Sequence, residues 1–280
     1  MSELEQNPGV LALIDAAVNE DLGPGDVTSN AIFGEGDAAR ARIVAKAAGV
    51  LCGAWIVRAV YGRIDPAVGV SILMEEGARL VPGNVVVSLE GPVKSILGGE
   101  RIALNFFQRM SGIATKTASL CALIGDGALR VLDTRKTLPG FRLLDKYSVK
   151  TGGGTNHRMG LYDMVMIKDN HIRAAGGIRQ AMEKVRAAYG TAYRTEIEAT
   201  TLDEVQEAMD SGADSIMLDN MDIPAMKRAV ALVAGRAKIE ISGNVDETSI
   251  VRLKDVGADF VSIGALTHSV AAFDFSMKFD

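Results

Sequence analysis

The carboxyl-terminal half of this 280-residue chain repeats one pattern, and that repeat restricts the fold more than any other feature. Short apolar, β-branched runs occur at 162–167, 194–198, 215–218, 238–241 and 260–263. Helical patterns at 202–211, 223–234 and 247–256 lie between them. Thr201 stands where an N-cap belongs, Pro224 stands in a first turn, and Gly212 and Gly257 stand where helices stop. Strand, helix, strand at a spacing of roughly 20 to 30 residues predicts a parallel α/β barrel.

The amino-terminal portion shows no such register. Strands are predicted at 41–48 and 84–97 and helices at 55–61 and 100–123, with turns at 81–84 and 90–92. These elements predict a smaller α+β domain over residues 1–112. The barrel then covers 113–268, and a tail over 269–280 returns to the first domain. With 48% hydrophobic residues, the chain has enough apolar side chain for a large core and is not expected to be disordered.

Several function classes are disfavoured. The acidic, polar amino terminus is not expected to be a secretory or transit signal. The apolar run at 47–57 is far shorter than the ~20 residues needed to cross a bilayer. Cys52 and Cys121 have neither metal nor redox spacing and fit a reducing cytosol, so a cytoplasmic protein is expected. The net charge of −5 argues against nucleic acid as a partner. Its distribution is uneven. Residues 135–173 hold eight Lys/Arg against three Asp, a net +5 that leaves −10 elsewhere. That stretch is either a solvated basic face or a pocket for a multiply charged anion.

Barrel active sites lie where strands end. The predicted exits carry Thr134-Arg135-Lys136, Lys168, Glu198, Asp219, Ser242-Gly243-Asn244 and Ile263-Gly264-Ala265. Strand interiors are expected to be apolar, so polar groups at the exits suggest function. The glycine exits are either tight turns or phosphate cradles, in which backbone N–H groups approach an anion closely. Glu198 and Asp219 are either structural ion-pair acids or acceptors for ribose hydroxyls near Mg²⁺ on a pyrophosphate. The run Gly152-Gly153-Gly154 opens onto His157-Arg158 without a dinucleotide fingerprint. It is expected to be a flexible arm that places His157 and Arg158 over the site. His171 is expected to brace its loop.

Together these residues resemble the quinolinate phosphoribosyltransferase family. The resemblance is carried by Asp133-Thr-Arg-Lys-Thr-Leu-Pro-Gly-Phe-Arg142, Gly152-Gly-Gly-Thr-Asn-His-Arg158 and Ile167-Lys-Asp-Asn-His171. Glu20 to Thr28, Gly99 to Asn105, Glu196-Ile-Glu198, Met217-Leu-Asp-Asn220, Glu240-Ile-Ser-Gly-Asn244 and Ile263-Gly-Ala-Leu266 agree with it, in the family's order. The resemblance implies a homodimer whose subunits carry a sandwich-like amino-terminal domain and an incomplete α/β barrel. It implies phosphoribosyl transfer to quinolinate with loss of carbon dioxide and pyrophosphate.

The resemblance also implies a pocket lined by Thr134, Arg135, Arg158 and Lys168 with His157 close by, and with Arg101 reaching in from the partner subunit. Lys136, Glu198 and Asp219 would act on phosphoribosyl pyrophosphate, and Mg²⁺ would be held mainly by the pyrophosphate itself. The 5′-phosphate would rest on Ser242-Gly243-Asn244 and Ile263-Gly264-Ala265. Asn244 replaces a residue that varies within the family. The alternatives are a paralogous phosphoribosyltransferase with a different anionic ligand, a Schiff-base aldolase using Lys168, and an inactive phosphate-binding regulator.

Overall fold

A computed structural model describes residues 3–280. In chain order its first elements are α1 (Pro8–Asp21), α2 (Val27–Ile32), β1 (Ala38–Ala45), β2 (Gly49–Val50), α3 (Ala54–Ile64), β3 (Gly69–Ile72), β4 (Arg79–Leu80), β5 (Val85–Pro92) and α4 (Val93–Ile124). Next come β6 (Arg130–Leu132), α5 (Arg142–Thr151), β7 (Val165–Ile167), α6 (Asp169–Ala175), α7 (Ile178–Tyr189), β8 (Thr195–Ala199) and α8 (Leu202–Asp210). The chain ends with β9 (Ser215–Asp219), α9 (Ile223–Val233), β10 (Lys238–Ser242), α10 (Glu247–Leu253), β11 (Phe260–Ser262), α11 (Ala265–His268) and β12 (Phe275–Phe279).

The chain forms two compact units. One runs to Ala118 and includes Thr137–Gly153 and Leu266–Asp280; the other comprises Ser119–Lys136 and Gly154–Ala265. The expected division at residues 112 and 268 was a single excursion into the barrel. The compact units instead place α5 with the amino-terminal part, where Leu144 joins its core.

In the amino-terminal unit an antiparallel sheet has the order β12-β1-β5-β3. The tail therefore pairs with β1, Ile43 standing opposite Met277. Ile43, Val87, Leu89, Trp55, Tyr61 and Phe107 are buried in one core, and Phe107 stacks on Phe275 at 4.1 Å between ring centroids. Asn7 caps α1 by accepting hydrogen bonds from the Gly9 and Val10 N–H groups, with Pro8 in the first helical position.

Two expectations for this unit are corrected. The strand predicted to run to residue 97 ends at Pro92, and 90–92 continue the ladder instead of turning. Proline has no N–H for further pairing. From Val93 the chain is helical, so the helix predicted from residue 100 begins seven residues earlier.

The carboxyl-terminal unit holds a six-stranded parallel sheet ordered β6-β11-β10-β9-β8-β7, with helices in the connections. Sequence neighbours from β7 to β11 are spatial neighbours, and β6 is added beside β11. No ladder joins β6 to β7 among the described residues, though Thr155 bridges to Leu132. One face of the sheet carries Ile197, Ile216, Leu218, Ile239, Ile241 and Val261, all buried. By the two-residue period of a strand, the other face carries Met166, Glu196, Glu198, Met217, Asp219, Glu240, Ser242 and Ser262. Glu196 and Glu240 are mid-strand, so the expectation of apolar strand interiors holds for only one face.

Candidate active site

A cavity of about 440 Å³ opens at the carboxyl ends of these strands. Thr134, Arg135 and Lys136 reach it from the exit of β6, and Lys168 and His171 from the exit of β7. His157 and Arg158 enter from the segment before β7, and Ser242 from the end of β10. Leu161, Met166 and Met217 add apolar wall, while Glu240 and Ser262 complete the lining from inside the sheet. The arrangement suits a flat, apolar-faced anion. Cations converge from three separate segments, and thioethers line the space between them.

Arg158 and Arg135 feel one another directly. Burial and the Arg135 guanidinium both push the pKa of Arg158 below its ordinary value, partly offset by Glu196 and Asp163. One Arg158 nitrogen, Nη1, donates to the Met164 carbonyl at 3.1 Å. Lys168 Nζ lies 2.8 Å from Glu198 Oε2, the lysine being far more exposed than the acid. Two residues expected to face different ligands are therefore ion-paired here. Lys168 also caps α6, and its N–H donates to His171 Nδ1 at 3.0 Å, so His171 braces the loop as expected and lines the cavity as well.

The segment expected to be a flexible arm is tied down. Thr155 exchanges backbone hydrogen bonds with Val131 and Asp133. Asn156 Nδ2 and the His157 N–H both donate to the fully buried Asp133 carboxylate, at 2.5 and 2.9 Å. The His157 ring is fixed at both nitrogens. Nδ1 accepts the Arg158 N–H at 2.7 Å, and Nε2 lies 2.8 Å from Glu196 Oε2 and 3.5 Å from Glu240 Oε2. Behind this cluster a second cavity, of about 460 Å³, is lined by His157, Arg158, Glu196 and Glu240 together with Arg194 and Lys238 from the strand beginnings.

The remaining predicted residues fall around this frame. Asp219 ends β9 beside Ser242 in register, and its Oδ2 accepts from Asn220 Nδ2 at 2.8 Å. Gly243 has φ +114, and a Cβ there would sit 2.2 Å from Asn220 Oδ1, so this close approach requires glycine. Asn244 has φ +43, a left-handed conformation that asparagine tolerates better than most residues. Ile263 donates its N–H to the Leu132 carbonyl, and Gly264 and Ala265 lead into α11. Glu198, Asp219, Gly243, Asn244, Ile263, Gly264 and Ala265 stand at strand ends but are not among the residues lining the first cavity. Arg101 is exposed on α4 in the amino-terminal unit.

Glu196 and Glu240 received no role from sequence. Their signal was a charged residue at the centre of a run whose neighbours are Ile197, Ile239 and Ile241. Such a pattern also describes a sheet with one wet face.

Comparisons with known proteins bear on the same residues. The family model described as quinolinate phosphoribosyl transferase, C-terminal domain, matches residues 113–278, and the N-terminal domain model matches 26–111. A probable nicotinate-nucleotide pyrophosphorylase [carboxylating] from Bacillus subtilis is 43% identical over 258 residues, covering 92% of this chain and 89% of its own. NadC from Streptococcus pyogenes has a TM-score of 0.93 at 43% identity, covering 95% of this chain and 94% of that one. The nicotinate-nucleotide pyrophosphorylase structure from Francisella tularensis has a TM-score of 0.94 at 37% identity, with full coverage of both chains.

Proposed function

Because the chain belongs to the quinolinate phosphoribosyltransferase family, we propose that the cation-lined cavity is where it carries out that family's reaction. The enzyme transfers the phosphoribosyl group of phosphoribosyl pyrophosphate to quinolinate with decarboxylation. The products are nicotinate mononucleotide, pyrophosphate and carbon dioxide, a step of NAD biosynthesis. The observation that carries the site reading is the convergence of Arg135, Arg158 and Lys168 on one cavity at the strand ends, next to Glu198.

Quinolinate is a dianion, and each charge-assisted hydrogen bond to it contributes about 1.5–3 kcal/mol. The planar forks of Arg135 and Arg158 match carboxylates in a way that lysine does not. Thr134 and His157 belong to the same wall. As pyrophosphate leaves, positive charge grows on the ribose, and Glu198 and Asp219 at the strand exits offset it. Lys136 meets the phosphoribosyl pyrophosphate, and Ser242, Gly243, Asn244, Ile263, Gly264 and Ala265 receive the 5′-phosphate. Once its nitrogen is ribosylated, the pyridinium ring is its own electron sink, so the protein needs to orient and desolvate the 2-carboxylate.

Carboxylates suit the surroundings of a hard cation, so Glu198 and Asp219 would stand near a Mg²⁺ held mainly by the pyrophosphate itself. When bound, Mg²⁺ supplies charge neutralisation to the leaving group. We further infer a cytoplasmic homodimer in which Arg101 serves the partner subunit's pocket. Among the described residues no helix is long and apolar enough to cross a membrane.

Incubation with quinolinate, phosphoribosyl pyrophosphate and Mg²⁺ is expected to yield nicotinate mononucleotide and carbon dioxide. Turnover of nicotinate but not quinolinate would replace this reading with a paralogous transferase, since a monoanion does not require so many cations.

A further inference from the structure

The least expected part of the site is a pair of buried acids, Glu240 lining both cavities and Glu196 the second. Glu196 on β8 and Glu240 on β10 lie two strands apart on the same face, and each side chain is 2% exposed. One oxygen of each carboxyl and a ring nitrogen of His157 all lie within 4.8 Å of one another. Glu240 Oε1 is buried without a hydrogen-bond partner, whereas Glu196 Oε1 accepts from the Ser215 hydroxyl at 3.1 Å. Two ionised carboxylates so close, and so far from water, are mutually unfavourable; one proton shared between them removes the conflict.

We propose that Glu196 and Glu240 together carry one proton, and that this singly charged pair is a positioning device that fixes the His157 ring and, through it, the main chain of Arg158. The proposal rests on the functional reading above and deepens it. The links are direct. His157 Nδ1 accepts the Arg158 N–H, so the ring proton sits on Nε2 and is donated to Glu196 Oε2. With both nitrogens engaged by the protein, the imidazole works as a spacer beneath the quinolinate pocket, setting where Arg158 starts.

The shared proton also sets the charge of the floor under a dianionic ligand. A doubly ionised pair would oppose that ligand, and a fully neutral pair would hold the imidazole N–H more weakly. The groups facing Glu240 agree with one retained proton. Glu196 faces it from β8, the Ser262 hydroxyl from β11, His157 from the segment before β7 and Lys168 from the end of β7. Burial and the neighbouring Glu196 carboxylate, outweighing Lys168, push the Glu240 pKa well above its ordinary value.

The test measures quinolinate affinity by calorimetry, independently of turnover, across pH. Glu196→Ala removes the acceptor of the Nε2–H and is expected to weaken quinolinate binding on the order of tenfold, with phosphoribosyl pyrophosphate binding unchanged. Glu240→Gln has the shape of the protonated acid and is expected to weaken binding much less than Glu240→Ala. In the unsubstituted enzyme, quinolinate binding weakens as rising pH ionises Glu240. In Glu240→Gln that alkaline limb is absent.

An alkaline limb that persists in Glu240→Gln overturns the proposal, as does a Glu196→Ala affinity within about twofold of the unsubstituted enzyme. Should Glu196→Ala fail to fold, the isosteric Glu240→Gln still carries the pH readout. If the binding pattern holds but no nicotinate mononucleotide forms, the functional reading fails and the acid pair stands.

Discussion

Replacing Arg158 with alanine tests whether the cavity is built for a dianion. The Arg158 guanidinium is partly buried beside Arg135, and both circumstances disfavour its charge. Its guanidinium donates a hydrogen bond to the Met164 carbonyl, a neutral acceptor. A carboxylate arriving between the two guanidiniums removes that conflict. The loss on substitution is then at least one charge-assisted hydrogen bond of about 1.5–3 kcal/mol. At 1.4 kcal/mol per tenfold, this is roughly a ten- to hundredfold rise in the quinolinate KM. Arg158→Lys keeps the charge but not the fork, so its KM should fall between the two. Stability should barely move, because the Met164 hydrogen bond and the attraction to Glu196 and Asp163 are lost while burial of the charge and repulsion of Arg135 are relieved. The assay follows nicotinate mononucleotide formation against quinolinate at saturating phosphoribosyl pyrophosphate, with a thermal melt of each variant. A quinolinate KM within about twofold of the unsubstituted enzyme would remove Arg158 from the pocket. A large drop in melting temperature accompanying the KM change would show that the arginine mainly holds the fold.

Asp219→Ala should cut turnover on the order of 10²-fold while the quinolinate KM stays near its starting value, and an unchanged turnover number would count against charge stabilisation by that acid. If Arg101 acts across a dimer interface, mixing and reassembling Arg101→Ala and Arg158→Ala proteins, assayed at quinolinate well below the raised KM so that each alone is nearly silent, should restore about a quarter of the activity, because half the dimers then hold one intact site; no restoration would place Arg101 in its own subunit's site or outside both. Burial raises the folded-state pKa of Glu76 above its ordinary 4.5, so the stability it contributes is complete below that value and is lost as pH rises through the folded pKa. Melting temperatures of Glu76→Gln and the unsubstituted protein should therefore diverge above about pH 4.5, with the unsubstituted protein losing ground, and parallel curves would refute the assignment.

The strand exits were legible because their residues conflict with packing. Lys168, Glu198, Asp219 and the Gly243 turn follow apolar runs where a core would continue, and a chain places such groups there when loops project them over a barrel mouth. The helix starting at Val93 was not legible. Its first residues, Val93-Lys-Ser-Ile-Leu97, suit a strand as well as a helix, and the pairing that ends at Pro92 decides between them. The His157 segment was misread for a related reason. Its glycine run promises mobility, but the contact that removes it comes from the Asp133 carboxylate, 24 residues earlier in the chain. Local sequence holds no trace of that contact.

The acids inside the sheet make a more general point about where this fold keeps its stability and where it keeps its chemistry. On β8, β9 and β10 every second residue is a buried aliphatic facing the helices, and together these residues bury enough apolar surface to hold the sheet. The opposite face is thereby released from packing, and it carries Glu196, Glu198, Asp219, Glu240, Ser242 and Ser262 in consecutive registers. A one-residue register slip would exchange the two faces, burying Ile197 and Ile239 in the cavity wall and driving the acids into the helix layer. The alternation that fixes the register therefore also fixes the site. Substitutions of the aliphatic face should act through folding, and substitutions of the acid face through ligands. The two mid-strand glutamates are the exception, because they lie deep enough that their protonation bears on both.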